Sequence, residues 1–346
     1  MRYRAVGSNW LESLALRFGA VPIPLVDAIV PLVQTRSIMA AVELGVFEAL
    51  RDGARTAAEV ARERNLEVGS TELLLRVLCF AGYAAFDGER FTLSKVARDT
   101  LIEGAPHEMR GYLLWNFTQW NLLEGLEALV RTGRGVDIHS SMTDERAWGH
   151  YQLAMLELAR RDAPFLAKHV PVKRGAMRLL DLAGSHGLIG ATICRAHAPM
   201  TSLVIDLAAA IPHAIELARR AGLADVVEHR AGDIAEADYG GPHDVVLLAN
   251  ILHHFLPDAN QALLRRAHAA LSDEGTVAIW AAESPRRESK PDIGDTAALY
   301  FHLTSSARSF HGDDYAAWAR EAGFTDVRAI RPRFSPGQVL VVGRKR

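Results

Sequence analysis

Only two cysteines, Cys79 and Cys194, occur in 346 residues, and neither has a second Cys or a His at metal-ligand spacing. A disulfide scaffold and a zinc centre are excluded as organising features. An excess of one charge is also missing, since 39 Lys plus Arg face 41 Asp plus Glu, giving a net charge of -2 and a pI near 6.7. No global attraction to nucleic acid or anionic membrane follows, and a polyanionic substrate is disfavoured. Long apolar runs are lacking as well. The first such run is too short and interrupted for a signal peptide, and Pro22, Pro24 and Pro31 break up the next. No window approaches the ~20 uninterrupted apolar residues of a membrane helix, so the expectation is a soluble cytoplasmic protein with no membrane partner. What is present, 49% hydrophobic and 23% charged residues, is the composition of a globular chain with a sizeable core. The length allows one large domain or two moderate ones.

Two textures divide the chain near Pro171. Residues 25–50 carry apolar side chains at helical spacing, with Gly45 as a stop, and Thr56 to Glu59 is a capping box that opens a short amphipathic helix. Ser70, Thr71 and Glu72 lead into an apolar helix ended by Gly82. Strand-like residues 84–86 and 90–93 then flank Asp87-Gly88, a strong hairpin signal. Helix, helix, hairpin is the order of a winged helix. Between Arg55 and Thr100, however, seven basic residues meet seven acidic ones, so there is no basic face for DNA. The would-be recognition helix is almost wholly apolar, which predicts a core or subunit interface instead. Residues 107–170 continue in helical register with Trp115, Phe117, Trp120, Trp148 and Tyr151 concentrated there, a stripe that more often marks core than a ligand pocket.

After Pro171, apolar runs at 178–182, 202–206, 244–249 and 276–280 alternate with helical stretches, the pattern of βαβ units on a parallel sheet. Residues 338–343 read as a late strand, antiparallel at the sheet edge. The first run leads into Asp181-Leu182-Ala183-Gly184-Ser185-His186-Gly187-Leu188-Ile189-Gly190. Its glycines permit a tight strand-to-helix turn, although Ser185 stands where a dinucleotide fingerprint has its second glycine. Asp206 ends the next strand 22 residues beyond Gly184, where a carboxylate can accept from both hydroxyls of a ribose. Gly232, Asp233 and Ile234 follow the third strand and can bracket an adenine. Asn250 to Phe255 follow the fourth, at the carboxyl end where open α/β sheets bind ligands.

In this order of elements the chain resembles the S-adenosylmethionine-dependent O-methyltransferases of the caffeic-acid and hydroxyindole type. The carriers are residues 41–47 with the winged helix behind them, 151–155, 181–187, 204–207, 232–234, Leu252-His253 and 321–324. The resemblance implies an α/β fold: a C-terminal Rossmann-like methyltransferase sheet with helices on both faces (171–346), and a mostly α winged-helix domain (1–170) that forms a homodimer and part of the acceptor pocket. It implies S-adenosylmethionine as cofactor. Gly184, Ser185 and Gly187 would hold its methionine end, with Tyr151 and Met155 beside it. Asp206 with Leu207 would hold the ribose, and Gly232, Asp233 and Ile234 the adenine, with Asn250 nearby. His253 takes the place of the general base. His254 and Phe255 stand where the family has Asp and Trp.

An imidazole can accept the proton of a phenol as charge develops on oxygen. The acids that orient this His in the plant enzymes are replaced by Ala307 and by an acid-free last strand, leaving Glu283, Asp295 or Asp258 to substitute. A flat aromatic acceptor is expected, with Trp115, Trp120, His254, Tyr300 and His302 as pocket candidates. No metal is expected. The competing readings are a relative on the same scaffold that binds the cofactor without transferring methyl, an N- or C-methyltransferase, a DNA-binding regulator, and a dehydrogenase. Ser185 and the late position of the glycines disfavour the last, and the balanced charge disfavours the regulator.

Overall fold

A computed structural model describes residues 5–139, 141–142, 144–286, 288–305, 307–333, 335 and 337–346. Two compact units divide between Phe117 and Thr118.

In the first unit Thr56 caps the helix Ala57–Arg64 with the reciprocal Glu59 bond, and Gly45 adopts φ +69 between two helices. The helix Val68–Phe80 precedes an antiparallel hairpin of β1 (Ala84–Phe86) and β2 (Phe91–Leu93). Leu75, Leu78, Phe47 and Phe91 form its core. The same helix leaves Leu73 and Phe80 about 70% exposed. One expectation is overturned here. Pro22 and Pro24 sit at the start of the helix Ile23–Glu43, where a missing N–H costs nothing, and the helix continues through Pro31. Its 21 residues are long and apolar enough to cross a membrane by length and composition.

The second unit is built on a seven-stranded sheet of β3 (Arg178–Leu182), β4 (Thr201–Asp206), β5 (Val227–Ala231), β6 (His243–Ala249), β7 (Leu271–Ala282), β8 (Thr325–Ile330) and β9 (Gln338–Arg344). Its order is β5-β4-β3-β6-β7-β9-β8. Strands β3 to β7 pair in parallel and β9 runs antiparallel to both its neighbours. The last strand is therefore antiparallel as expected but interior. The edge is β8, whose polar residues alternate with apolar ones and give no continuous apolar run.

Alternate residues of each strand feed different cores. Leu180, Leu182, Val246, Leu248, Val277 and Ile279 share one, and Leu179, Val245, Leu247 and Trp280 the other. Ala159, Ala163 and Leu166 of the helix Glu145–His169 join the second core, and the Trp280 indole donates to Asp162 at 3.0 Å. That helix packs on the sheet that follows it, which is why compactness divides the chain well before the change of texture near 171.

Candidate active site

The carboxyl ends of β3, β4, β5 and β6 surround a cleft of about 330 Å³. Strand reversal of order between β3 and β6 makes this the switch point of the sheet, where parallel α/β sheets take ligands. Of the residues expected to hold a cofactor, Tyr151, Met155, Gly184, Ser185, Asp206, Leu207, Gly232, Asp233, Ile234 and Asn250 all line it.

The turn after β3 is held in a conformation that favours glycine, yet Ala183 and Ser185 adopt φ of +56 and +53, and Asn250 across the cleft +54. Non-glycine residues carry about 1 to 3 kcal/mol of strain there, which persists only where surrounding contacts impose it. Those contacts are visible. The Ser185 amide donates to Asp206 Oδ2 at 2.8 Å and the Leu207 amide to Oδ1 at 2.7 Å. The Ser185 hydroxyl donates to Gln152, and His229 Nε2 meets the Ser185 carbonyl at 3.1 Å. At Gly184 a Cβ would lie 2.3 Å from the Asp181 carboxyl carbon. Gly187 is absent from the cleft wall. It lies behind the turn at φ +72, where a Cβ would strike Val227 and Val204.

Two buried carboxyls sit at the floor. Burial pushes Asp206 upward against the pull of its two amides. Burial and then the Asp206 charge raise Asp181 to about 7, although the Gly190 amide opposes this. Among the described residues Asp181 Oδ1 has no hydrogen-bond partner, and Asp181 lines the cleft. Unpaired buried carboxylate oxygen of this kind fits a cationic or hydroxylated ligand.

The histidines of the turn Leu252–His254 are not equivalent. His254 lines the cleft, while His253 is absent from its wall and is 4% exposed, its ring centroid 4.3 Å from those of His254 and Phe301. Burial, then His139, lowers His253 to about 3. His254 is lowered well below its ordinary value by burial and by the other two imidazoles. Among the described residues no carboxylate pairs with His253, and its buried Nδ1 has no hydrogen-bond partner. Glu283 is engaged by Arg331 and the Gly312 amide, and Asp295 by the Asp292 amide.

The remaining pocket candidates lie elsewhere. Trp115 is buried, at 1% exposure, and off the cleft wall. Trp120, Tyr300 and His302 are half-buried and off the cleft wall, with His302 Nδ1 occupied by the Ala307 carbonyl at 3.0 Å. Conversely, the cleft presents Asp137, His139, Trp148, Gln152 and His186, none of them expected as site residues. Trp148 and Tyr151 belonged to the aromatic stripe, whose helical spacing alone does not separate core from cleft. No group of three or more potential metal ligands occurs among the described residues.

A strand-end cleft with a glycine turn and paired acids defines a nucleoside-binding α/β enzyme. Residues 139–325 match the O-methyltransferase domain and 30–101 the O-methyltransferase dimerisation domain, so the chain belongs to the O-methyltransferase family, a family of S-adenosylmethionine-dependent enzymes. It is similar to the 3-hydroxy-5-methyl-1-naphthoate 3-O-methyltransferase of Streptomyces sahachiroi, at 29% identity over 93% of this chain and 94% of that protein. Similarity to the N,N-dimethyltransferase OxyT of Streptomyces rimosus is 26%, over 90% and 93%. The fold matches human N-acetylserotonin methyltransferase solved with S-adenosylmethionine, with a TM-score of 0.85, 18% identity and coverage of 98% and 99%.

Proposed function

We propose that this protein transfers methyl from S-adenosylmethionine to a hydroxyl oxygen of a small aromatic, phenolic or polyketide-like secondary metabolite, acting as a soluble cytoplasmic homodimer. The observation that carries the reading is the single cleft wall on which Asp206, Asp233, Gly184 and His254 meet. When bound, S-adenosylmethionine supplies a methyl group already activated by the sulfonium. Asp206 accepts from the ribose hydroxyls, Asp233 and Ile234 hold the adenine, and the Gly184-Ser185 turn with Tyr151 and Met155 seats the methionine end. The chain's remaining task is to align the acceptor oxygen and remove its proton at the His253-His254 turn, with His253 as the base. The relative named for naphthoate O-methylation, aligned over nearly the whole chain, supports an aromatic acceptor.

Incubation with S-adenosylmethionine and a panel of hydroxynaphthoates and aromatic amines, read by mass spectrometry, tests this. Gain of one CH₂ on oxygen with stoichiometric S-adenosylhomocysteine is the expected result. Methylation on nitrogen, as the name of OxyT would have it, or a product lacking the added CH₂ overturns O-transfer.

A further inference from the structure

Behind the His253-His254 turn runs the helix Pro257–Ala270, whose buried face is Asn260, Leu263, Leu264, Ala267 and Ala270. That is an apolar stripe at helical spacing with an amide at its head. Asn260 is 0% exposed. An apolar side chain would suit the place better, because Asn is a poor helix former and its Oδ1 is buried with no hydrogen-bond partner among the described residues. Its other end accounts for it. Asn260 Nδ2 donates to the Leu252 carbonyl at 2.9 Å and to the Phe255 carbonyl at 3.1 Å, the two peptide oxygens that flank His253 and His254. Ile251, His254 and Phe255 line the cleft, and Asn260 lies off its wall.

We propose that Asn260 is a positioning residue for the transfer, its amide setting where the His253-His254 turn stands against the acceptor. This rests on the methyl-transfer reading and deepens it. The turn Leu252–His254 is a single 3₁₀ turn, an element of poor hydrogen-bond geometry. Its own bonds run from the His254 amide to the Ile251 carbonyl at 3.0 Å and from the Phe255 amide to the Leu252 carbonyl at 3.3 Å, the second of them long. Beyond it the chain emerges at Leu256, 62% exposed, which caps the helix without a side-chain bond, and Pro257 has no N–H to give. Backbone bonds alone therefore hold the turn weakly. One amide gripping both ends ties it to a helix that Leu263 and Leu264 anchor in the core. Asn260 acts through those two carbonyls and takes no proton itself. Its effect on rate is one of alignment, since a shift of about 1 Å in a catalytic group can cost roughly 10²-fold.

The test uses the full-length protein in two arms. Asn260→Leu keeps the bulk and loses both donors, and Asn260→Ala loses the bulk as well. Leu271→Ala, 2% exposed at the far end of the same helix, is the control for lost packing alone. Without any ligand, hydrogen–deuterium exchange of the peptide bearing His254 and Phe255 should be roughly tenfold faster or more in both Asn260 variants and unchanged in Leu271→Ala. Wild-type exchange there in Asn260→Leu, or loss of the folded state in both variants, overturns the proposal. In the second arm 3-hydroxy-2-naphthoate is the probe. Both Asn260 variants should bind S-adenosylhomocysteine as the wild type does while kcat falls roughly 10²-fold, and Leu271→Ala should keep its kcat. Wild-type kcat in Asn260→Leu, an equal fall in Leu271→Ala, or a matching loss of S-adenosylhomocysteine affinity overturns it. A wild type that never methylates the probe counts against the acceptor reading, while the exchange arm, which needs no acceptor, still decides whether Asn260 holds the turn.

Discussion

Asp181 shows how a single side chain trades stability for binding. Its carboxyl sits at about 7 in the folded chain, chiefly through burial and then through Asp206, against an ordinary value near 3.9. The folded state therefore binds more protons than the unfolded one between those values. The stability this carboxyl contributes is present below about pH 4 and is lost as pH rises toward 7. Asp181→Asn removes the buried charge. The variant should be more stable than wild type at pH 8 without ligand by about 1 to 3 kcal/mol, and S-adenosylhomocysteine should raise its melting temperature less. Thermal unfolding across pH with and without that ligand reads both effects, and a variant less stable than wild type at pH 8 refutes the account. The neighbouring question of the base is kinetic. His253→Ala should leave cofactor affinity intact and slow methylation by ~10² to 10⁴. Near-normal turnover would show that alignment alone drives the reaction.

At the scale of the element, the β3 turn is the piece on which the cleft depends. Gly187 caps the helix Leu188–Ala196 at φ +72, and a Cβ there would lie 2.7 Å from Val227 and 3.0 Å from Val204. Gly187→Ala should cost about 1 to 3 kcal/mol and weaken cofactor binding by displacing the turn, whereas Gly222→Ala meets no neighbouring atom and should cost about 1 kcal/mol from its φ alone. Equal losses of melting temperature in the two would contradict the packing argument. This turn was legible in the sequence because strand ends follow from apolar runs, and the glycines and Asp206 fall at those ends. Asp137 and His139 were not legible, since they occupy an irregular segment between helices where no period marks a side chain as facing a ligand. Strand β8 escaped for a related reason: an edge strand needs one apolar face only, and six residues of weak alternation resemble a loop. Trp115 is the ambiguous case, because an aromatic at helical spacing fits a core and a pocket equally well.

For the whole molecule, the decisive feature is apolar surface that one chain leaves uncovered. Along the helix Ile23–Glu43, Leu25, Ile29, Leu32 and Val33 are 62, 52, 49 and 47% exposed. Their spacing of four, three and one residues puts them on one stripe, the pattern of a helix face that expects a partner. A soluble monomer rarely shows so much contiguous apolar area, and the matched dimerisation domain, residues 30–101, begins within this stripe and includes Leu32 and Val33. The near-zero net charge removes any long-range repulsion between two copies. Wild-type protein should therefore sediment as a dimer, and Ile29→Asp combined with Leu32→Asp should give a monomer. Both positions are about half exposed, so far-UV circular dichroism should be preserved. A stable dimer of the double variant would move the interface to another surface, and a monomeric wild type would leave the stripe without the partner its exposure demands.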